Sequence, residues 1–390
     1  MRVAIVVTHL LGAGHLRRAI NLAQAFSEAG HVATVVSGGV PVSQFSTDVE
    51  VLQLPPLKSD GTNFSRLLTA DGTEADSTYL TSRAQNLCEI IDQFKPTAVI
   101  TELFPFGRRM LRKEFLSLLD TLKNSSEPPL VLASVRDILA TPSSDRKAQK
   151  THDLIAEYYA AVLVHSNPDV IELESSWPVS SDLALRLRYT GFVAQQSAAQ
   201  VAAIDGQELP ENEILVSAGS GSVGRHVFEA AVQASQLIAN KHWRVLVGGS
   251  DAVEEVARLQ ALVVHHQVDD RVVVEPARTD FRELLRRCQC SVSLCGYNTV
   301  VDLLQSGTPG VFIPFDEGGE TEQTLRAQSL ARLSSYSVIE SSLLTPERLA
   351  ESVHEVCDAG RFEPSSNGFD GAAESVHIVE NLVHNKSNNK

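Results

Sequence analysis

Short apolar runs and amphipathic stretches alternate along almost the whole chain. The first run, Val3–Val7, is apolar at every position, which predicts a strand covered on both faces in a parallel sheet. A helical period follows from His15 to Ala29 and stops at Gly30, a residue suited to a helix C-cap. Further apolar runs predict strands at Val32–Val36, Val49–Leu54, Ala98–Thr101, Leu130–Ser134 and Ala161–Val164. Helical periods fit between them at Tyr79–Phe94, Gly107–Leu122 and Arg146–Tyr159. Residues 57–77 are polar, hold two glycines and break the pattern, so a long mobile loop is expected there.

The segment 195–212 is rich in Ala, Gln and Glu and reads as a linker. A second series then begins. Its strands are expected at Glu213–Ser217, Arg244–Val247, Val272–Val274, Val292–Leu294 and Gly310–Ile313. Its helices are expected at Val223–Ala239, Ala252–Val264, Asp280–Arg287, Thr299–Ser306 and Glu322–Leu333. A helical period returns at Phe369–His384. It predicts a helix over 369–385 that crosses back to the first domain, before a disordered tail at 386–390. Strand and helix in strict alternation make an α/β protein. The expected architecture is two Rossmann-like parallel-sheet domains, 1–194 and 213–368, facing each other across a cleft.

Composition changes this picture little. At 390 residues the chain has room for two domains, each with its own core. The net charge of −15, carried mostly by residues 191–390, argues against nonspecific nucleic-acid binding, which needs Lys and Arg against phosphates. It leaves room for one small anion, because oriented backbone N–H groups bind that locally. The five cysteines have no zinc-type spacing and read as free thiols of a cytoplasmic protein. No apolar run approaches the ~20 residues of a membrane helix, and Met1–Val7 is too short for a signal peptide.

The chemistry gathers in loops at the carboxyl ends of strands, where open α/β sheets bind ligands. After the first strand comes Gly12-Ala13-Gly14-His15. It lacks the third glycine and the later acidic residue of a dinucleotide fingerprint, which disfavours NAD. His15 opens a helix, with Arg17 and Arg18 following, so an anionic ligand group nearby is plausible. Glu102, Asp137 and His165 each follow a buried strand. Arg108, Arg109, Arg112 and Lys113 make a basic helix start, read as a solvated face. The second series repeats the glycine loop at Gly219-Ser220-Gly221.

The densest signal is residues 293–327. A strand ends at Leu294, a tight turn through Gly296 and Asn298 opens a helix at Thr299, and Asp302 lies one turn in. A second strand ends at Pro314, and an acidic glycine-rich loop opens a helix at Glu322-Gln323. Helix N-terminus, carboxylate and polar loop suit phosphate, ribose and sugar in turn. Together they describe a nucleotide-sugar pocket. Asp316, Glu317, Glu320 and Glu322 read as a solvated loop rather than a metal site, so no metal is expected.

On these residues the chain resembles the GT-B glycosyltransferases of the MurG-like branch, most closely over about 213–340. Gly296, Thr299 and Asp302 fill one family pattern, with Asp where Glu is usual. Pro309, Ile313, Pro314, Gln323, Arg326 and Ala327 fill another, with Glu322 where Gln is usual. The first domain resembles a bacterial group of predicted glycosyltransferases through Glu102-x-Phe-Pro-Phe-Gly-Arg-Arg, Ser134-Val-Arg-Asp, Val164-His165 and Tyr189-Thr190-Gly191.

The resemblance implies transfer of a sugar from a nucleotide sugar, a UDP-sugar, to an acceptor hydroxyl. The nucleotide sugar is then a substrate, and no cofactor is expected. It also implies that Ala277 lies against the base. Inverting transfer needs a base, for which His15 is the first choice and Glu102 and Asp137 are alternatives. An epimerase on the same fold and a non-catalytic nucleotide-sugar-binding protein are the rival readings.

Overall fold

The structure is a computed structural model that describes residues 1–10, 13–42, 48–60, 63–194, 212–219, 223–249, 251–316, 321–363 and 368–388. The chain divides into two compact units. One is Met1–Gln195 with Asn367–Lys390, the other Gln196–Ser366. The linker expected at 195–212 lies outside the described residues except for its last residue.

The first unit is built on β1 (Arg2–Val7), α1 (Gly14–Glu28), β2 (Val32–Gly39), β3 (Glu50–Asp60), β4 (Asn63–Leu68), α2 (Ser77–Phe94) and β5 (Ala98–Glu102). It continues through α3 (Arg112–Lys123), β6 (Leu130–Arg136), α4 (Asp145–Tyr158), β7 (Ala161–His165), α5 (Ser181–Ala184) and β8 (Leu187–Tyr189). The strands form one sheet in the order β4-β3-β2-β1-β5-β6-β7-β8. All pairs are parallel except β3 with β4. Alternate residues of β1 feed the two faces: Ala4 and Val6 join one apolar cluster, Val3, Ile5 and Val7 the other. This explains why β1 is apolar from Val3 to Val7.

The second unit holds β9 (Glu213–Ser217), α6 (Arg225–Ala234), β10 (His242–Val247), α7 (Ala252–His265), β11 (Val272–Pro276), α8 (Phe281–Arg287) and β12 (Cys290–Ser293). It continues with α9 (Tyr297–Ser306), β13 (Gly310–Phe312), α10 (Glu322–Leu330), β14 (Tyr336–Val338) and α11 (Pro346–Ala359). The sheet order is β11-β10-β9-β12-β13-β14, all parallel. In each sheet the order reverses beside the first strand, between β1 and β5 in one and between β9 and β12 in the other. The crevice at such a reversal is where this architecture takes ligands.

Three expectations are corrected. Residues 57–77 are not a mobile loop: β3 runs on to Asp60 and pairs with β4 as a hairpin. Leu57 and Leu67 are buried in the core, and both the backbone N–H and the Oγ of Ser59 donate to Leu10 O. Two apolar anchors among polar residues leave too sparse a pattern to read as strands. The strand β14 and the helix α11 were not expected. The helix α11 starts with Thr345 accepting from Arg348 N and with Pro346 in its first turn, a start signal visible in the sequence. Finally, the last helix, α12 (Gly371–Asn388), continues through 386–388, where a disordered tail was expected.

That helix belongs to the first unit and packs on α1. Val376 and Val379 enter the cluster with Leu16, Ile20 and Phe26. His31 Nε2 lies 2.8 Å from Glu380, and Lys386 Nζ donates to Pro128 O at 2.7 Å. The approach is close: a Cβ on Gly371 would stand 2.4 Å from the Gly191 carbonyl oxygen.

Candidate functional site

The reversal point of the first sheet holds a hydrogen-bonded cluster. Glu102 ends β5, and His15 stands in the first turn of α1, which follows β1. His15 Nδ1 lies 2.9 Å from Glu102 Oε1. Arg18 NH2 donates to the same oxygen and lies 3.1 Å from His15 Nδ1. Ser134 Oγ donates to Glu102 Oε2, and His165 Nε2 lies 2.9 Å from that hydroxyl. Thr190 Oγ1 completes the row at 2.8 Å from His165 Nδ1. The helix after β1 and the carboxyl ends of β5, β6, β7 and β8 thus bring one row of side chains together.

The charge states follow from the surroundings. Burial alone would raise the Glu102 pKa, but the Arg18 guanidinium and the His15 hydrogen bond outweigh it and hold the carboxyl below its ordinary range. An ionised carboxylate only accepts, so His15 Nδ1 carries the proton and Nε2 keeps a lone pair. Burial lowers the His15 pKa to about 3, the Glu102 hydrogen bond opposing and Arg136 and Arg108 assisting. Burial takes His165 down to about 3 as well. His15 is therefore a neutral imidazole in a fixed tautomer, with its side chain 12% exposed.

The other two acid/base candidates have different surroundings. Glu102 is 1% exposed and hydrogen-bonded to Arg18, Ser134 and His15. Asp137 is fully buried, and its Oδ1 accepts from Ile138 N at 2.8 Å, which uses the carboxylate to hold its own turn. Gly14 is the exposed first residue of α1; Gly12 lies outside the described residues.

In the second unit the turn after β12 leads to Gly296, the N-cap of α9. Gly296 lends no side-chain hydrogen bond to the first turn, and among the described residues a Cβ there would meet only Thr299 Oγ1, at 4.0 Å. The N-cap residue therefore supplies no side-chain cap to the first-turn N–H groups, an arrangement that suits an anion. Asn298 is exposed and Thr299 partly so. One turn on, Asp302 Oδ1 accepts from Arg282 Nε at 2.8 Å. Arg282, on α8, was not anticipated; the packing of α8 on α9 brings it there.

Glu322 and Gln323 open α10, and both are tied down. Arg326, fully buried, donates to Glu322 Oε1 at 2.8 Å and to Cys295 O at 2.9 Å. Gln323 Oε1 accepts from Phe315 N at 3.2 Å. Ala277, just past β11, is exposed and donates its N–H to Val247 O. Gly219 takes a left-handed φ of 79° after β9; Ser220 and Gly221 lie outside the described residues. Among the described residues no three His, Cys, Asp or Glu side chains gather as metal ligands, and no helix is long and apolar enough to cross a membrane.

Comparison with known proteins gives this arrangement its class. Over 98% of the chain the fold matches that of Acinetobacter baumannii MurG, covering 100% of that chain with a TM-score of 0.61 at 14% identity. CalG4, the calicheamicin glycosyltransferase, matches over 98% of this chain and 94% of its own, with a TM-score of 0.57 at 15% identity. The fold is GT-B.

Residues 214–376 match the glycosyltransferase family 28 C-terminal domain. In sequence, the UDP-N-acetylglucosamine–N-acetylmuramyl-(pentapeptide) pyrophosphoryl-undecaprenol N-acetylglucosamine transferase of Rhodospirillum rubrum is 28% identical over 140 residues, 35% of this chain and 36% of the relative. That of Thermotoga neapolitana is 25% identical over 92 residues, 24% of this chain and 27% of the relative. The chain thus aligns with only about a quarter to a third of the length of these curated relatives.

Proposed function

We propose that this protein is a glycosyltransferase that moves a sugar from a nucleotide sugar, a UDP-sugar, to an acceptor hydroxyl with inversion. The observation that carries the reading is the bond from His15 Nδ1 to Glu102. It fixes a neutral imidazole with its Nε2 lone pair available at the ligand edge of the first unit. The family 28 domain supplies the donor side. The diphosphate sits on the first turn of α9 at Gly296, Asn298 and Thr299, and Asp302 accepts from the ribose hydroxyls. Ala277 lies against the base, and Glu322 and Gln323 meet the sugar.

In the reaction, His15 Nε2 takes the proton of the acceptor hydroxyl as its oxygen attacks the anomeric carbon. The bond from that carbon to the diphosphate breaks, and the nucleoside diphosphate leaves with the electron pair. Backbone N–H groups of α9 meet the growing negative charge, so no step requires a metal ion. Glu102 stabilises the imidazolium as it forms. Removing a positioned general base costs roughly 10²–10⁴ in rate. His15→Ala is therefore expected to slow nucleoside diphosphate release at least about 100-fold without changing donor affinity. Full turnover in that variant contradicts the assignment. For the donor side, Asp302→Ala is expected to weaken binding of the nucleotide sugar, and unchanged affinity refutes that placement.

A further inference from the structure

The first sheet joins more side chains to Glu102 than His15 and Arg18. Glu102 on β5 and Ser134 on β6 are register partners. His165 on β7 stands opposite Arg136, two residues on from Ser134, so His165 and Ser134 share a face of the sheet. Thr190 directly follows Tyr189, whose partner on β7 is Val164. Neighbouring strands thus set Glu102, Ser134, His165 and Thr190 side by side. All four are 3% exposed or less, whereas the His15 side chain is 12% exposed. The row is closed to solvent along its length and opens at His15.

The protons along the row have a direction. Ser134 has one hydroxyl proton and two groups within reach of it, Glu102 Oε2 and His165 Nε2. The bond to an ionised carboxylate is the stronger, so the proton goes to Glu102. Ser134 Oγ then accepts from His165, whose Nε2 lies 2.9 Å away and carries a proton. Burial keeps His165 neutral, which leaves its Nδ1 as an acceptor. Thr190 Oγ1 lies 2.8 Å from that nitrogen and 2.8 Å from Gly191 O, and shares its proton between them. Thr190, His165 and Ser134 thus donate in sequence toward Glu102, and His15 and Arg18 donate to it from the other side. The two histidines are opposite tautomers, His165 protonated at Nε2 and His15 at Nδ1. For stability alone, apolar side chains of the same shape would serve about as well. What the row adds is direction: both oxygens of Glu102 are engaged, and His15 meets a fixed acceptor.

We propose that Ser134 and His165 are positioning residues for the base: through this line of donors they hold Glu102, so that the carboxylate keeps His15 in one tautomer and one orientation. The inference rests on the reading of His15 as the base. A reacting group is placed only as well as the side chains behind it are locked. Here the lock is a buried hydrogen-bonded row that runs across three strands from Glu102 to His165 and ends at Thr190.

The test combines nitrogen NMR of the full chain, isotope-labelled in its histidine rings at neutral pH, with turnover of UDP-sugars. His165, assigned by the loss of its signals in His165→Gln, is expected as a neutral ring protonated at Nε2. His15, assigned with His15→Ala, is expected as one protonated at Nδ1. Ser134→Ala is expected to shift the His15 ring signals and to lower kcat at least about 10-fold, while the KM for the UDP-sugar changes less than about twofold. His165→Gln, whose amide can still donate to Ser134, is expected to keep more of kcat than His165→Leu. That pair of variants carries the test if Ser134→Ala does not fold. A wild-type His165 protonated at Nδ1, or at both nitrogens, overturns the proposal. So do His15 signals and a kcat that Ser134→Ala leaves unchanged, or equal kcat in the two His165 variants. If the wild type turns over no UDP-sugar, the transferase reading fails. The two tautomers, and the response of His15 to Ser134→Ala, then still decide whether the row holds His15.

Discussion

His15 and Glu102 were each visible as polar residues after buried strands, but their bond was not. It spans 87 positions and exists because β1 and β5 are neighbours at the point where the strand order reverses. Asp137 has the same sequence placement as Glu102, but its Oδ1 accepts from Ile138 N in its own turn. What separates the two is the direction of the side chain, which spacing does not encode. The pair predicts a stability effect. Glu102→Gln leaves Arg18 buried beside a neutral amide, which is expected to cost about 3–5 kcal/mol in chemical denaturation.

A pH effect follows as well. Unfolded histidine protonates near 6.5, whereas His15 and His165 in the folded chain do so near 3. The unfolded state binds more protons between those values, so stability rises with pH across that window and falls on acidification. Each histidine adds a slope of about 1.4 kcal/mol per pH unit. Glu102, depressed below its usual 4.5, adds to the loss only below that value. Melting curves from pH 6 to 5 are expected to show the slope, and His165→Gln to reduce it by about one proton; an unchanged slope would contradict the buried neutral state.

At the scale of elements, the strictly alternating runs were legible because buried parallel strands carry continuous apolar runs, as residues 3–7 of β1, 98–100 of β5 and 161–164 of β7 do. Elements with one or two buried anchors were not. The β3–β4 hairpin depends on Leu57, Leu67 and the tie of Ser59 to Leu10, none of which makes a periodic pattern. The start of α11 was legible in principle, since Thr345-Pro346 is a capping pair. Thr345→Ala is expected to cost roughly 1 kcal/mol by thermal or urea unfolding, and no change would show that this cap contributes nothing. The glycine loops were legible as turns. That Thr299 is the one described neighbour within 4 Å of a Cβ at Gly296 was not, because it depends on what stands around it.

At the scale of the molecule, the two-series pattern foretold two α/β units, and the structure shows that the first is discontinuous. The helix α12 returns to cover α1 through Val376 and Val379, and a fully buried valine contributes roughly 1.5–3 kcal/mol. Gly371→Ala meets backbone at 2.4 Å and is expected to loosen this return and lower the melting temperature of the first unit. Hydrogen exchange localises the effect. Protection lost in α1 and α12 but kept in β9 to β14 fits the discontinuous unit, and uniform loss contradicts it.

The central claim is that His15, held by Glu102, acts as the base in sugar transfer from a donor bound by the family 28 domain. The most direct measurement is nucleoside diphosphate release from a panel of UDP-sugars, with water or a candidate acceptor, by the wild type and by His15→Ala. Release by the wild type, slowed at least about 100-fold in His15→Ala with donor affinity unchanged, is the predicted result. Equal release by the two proteins, or conversion of a UDP-sugar to an isomer without release, would contradict the account.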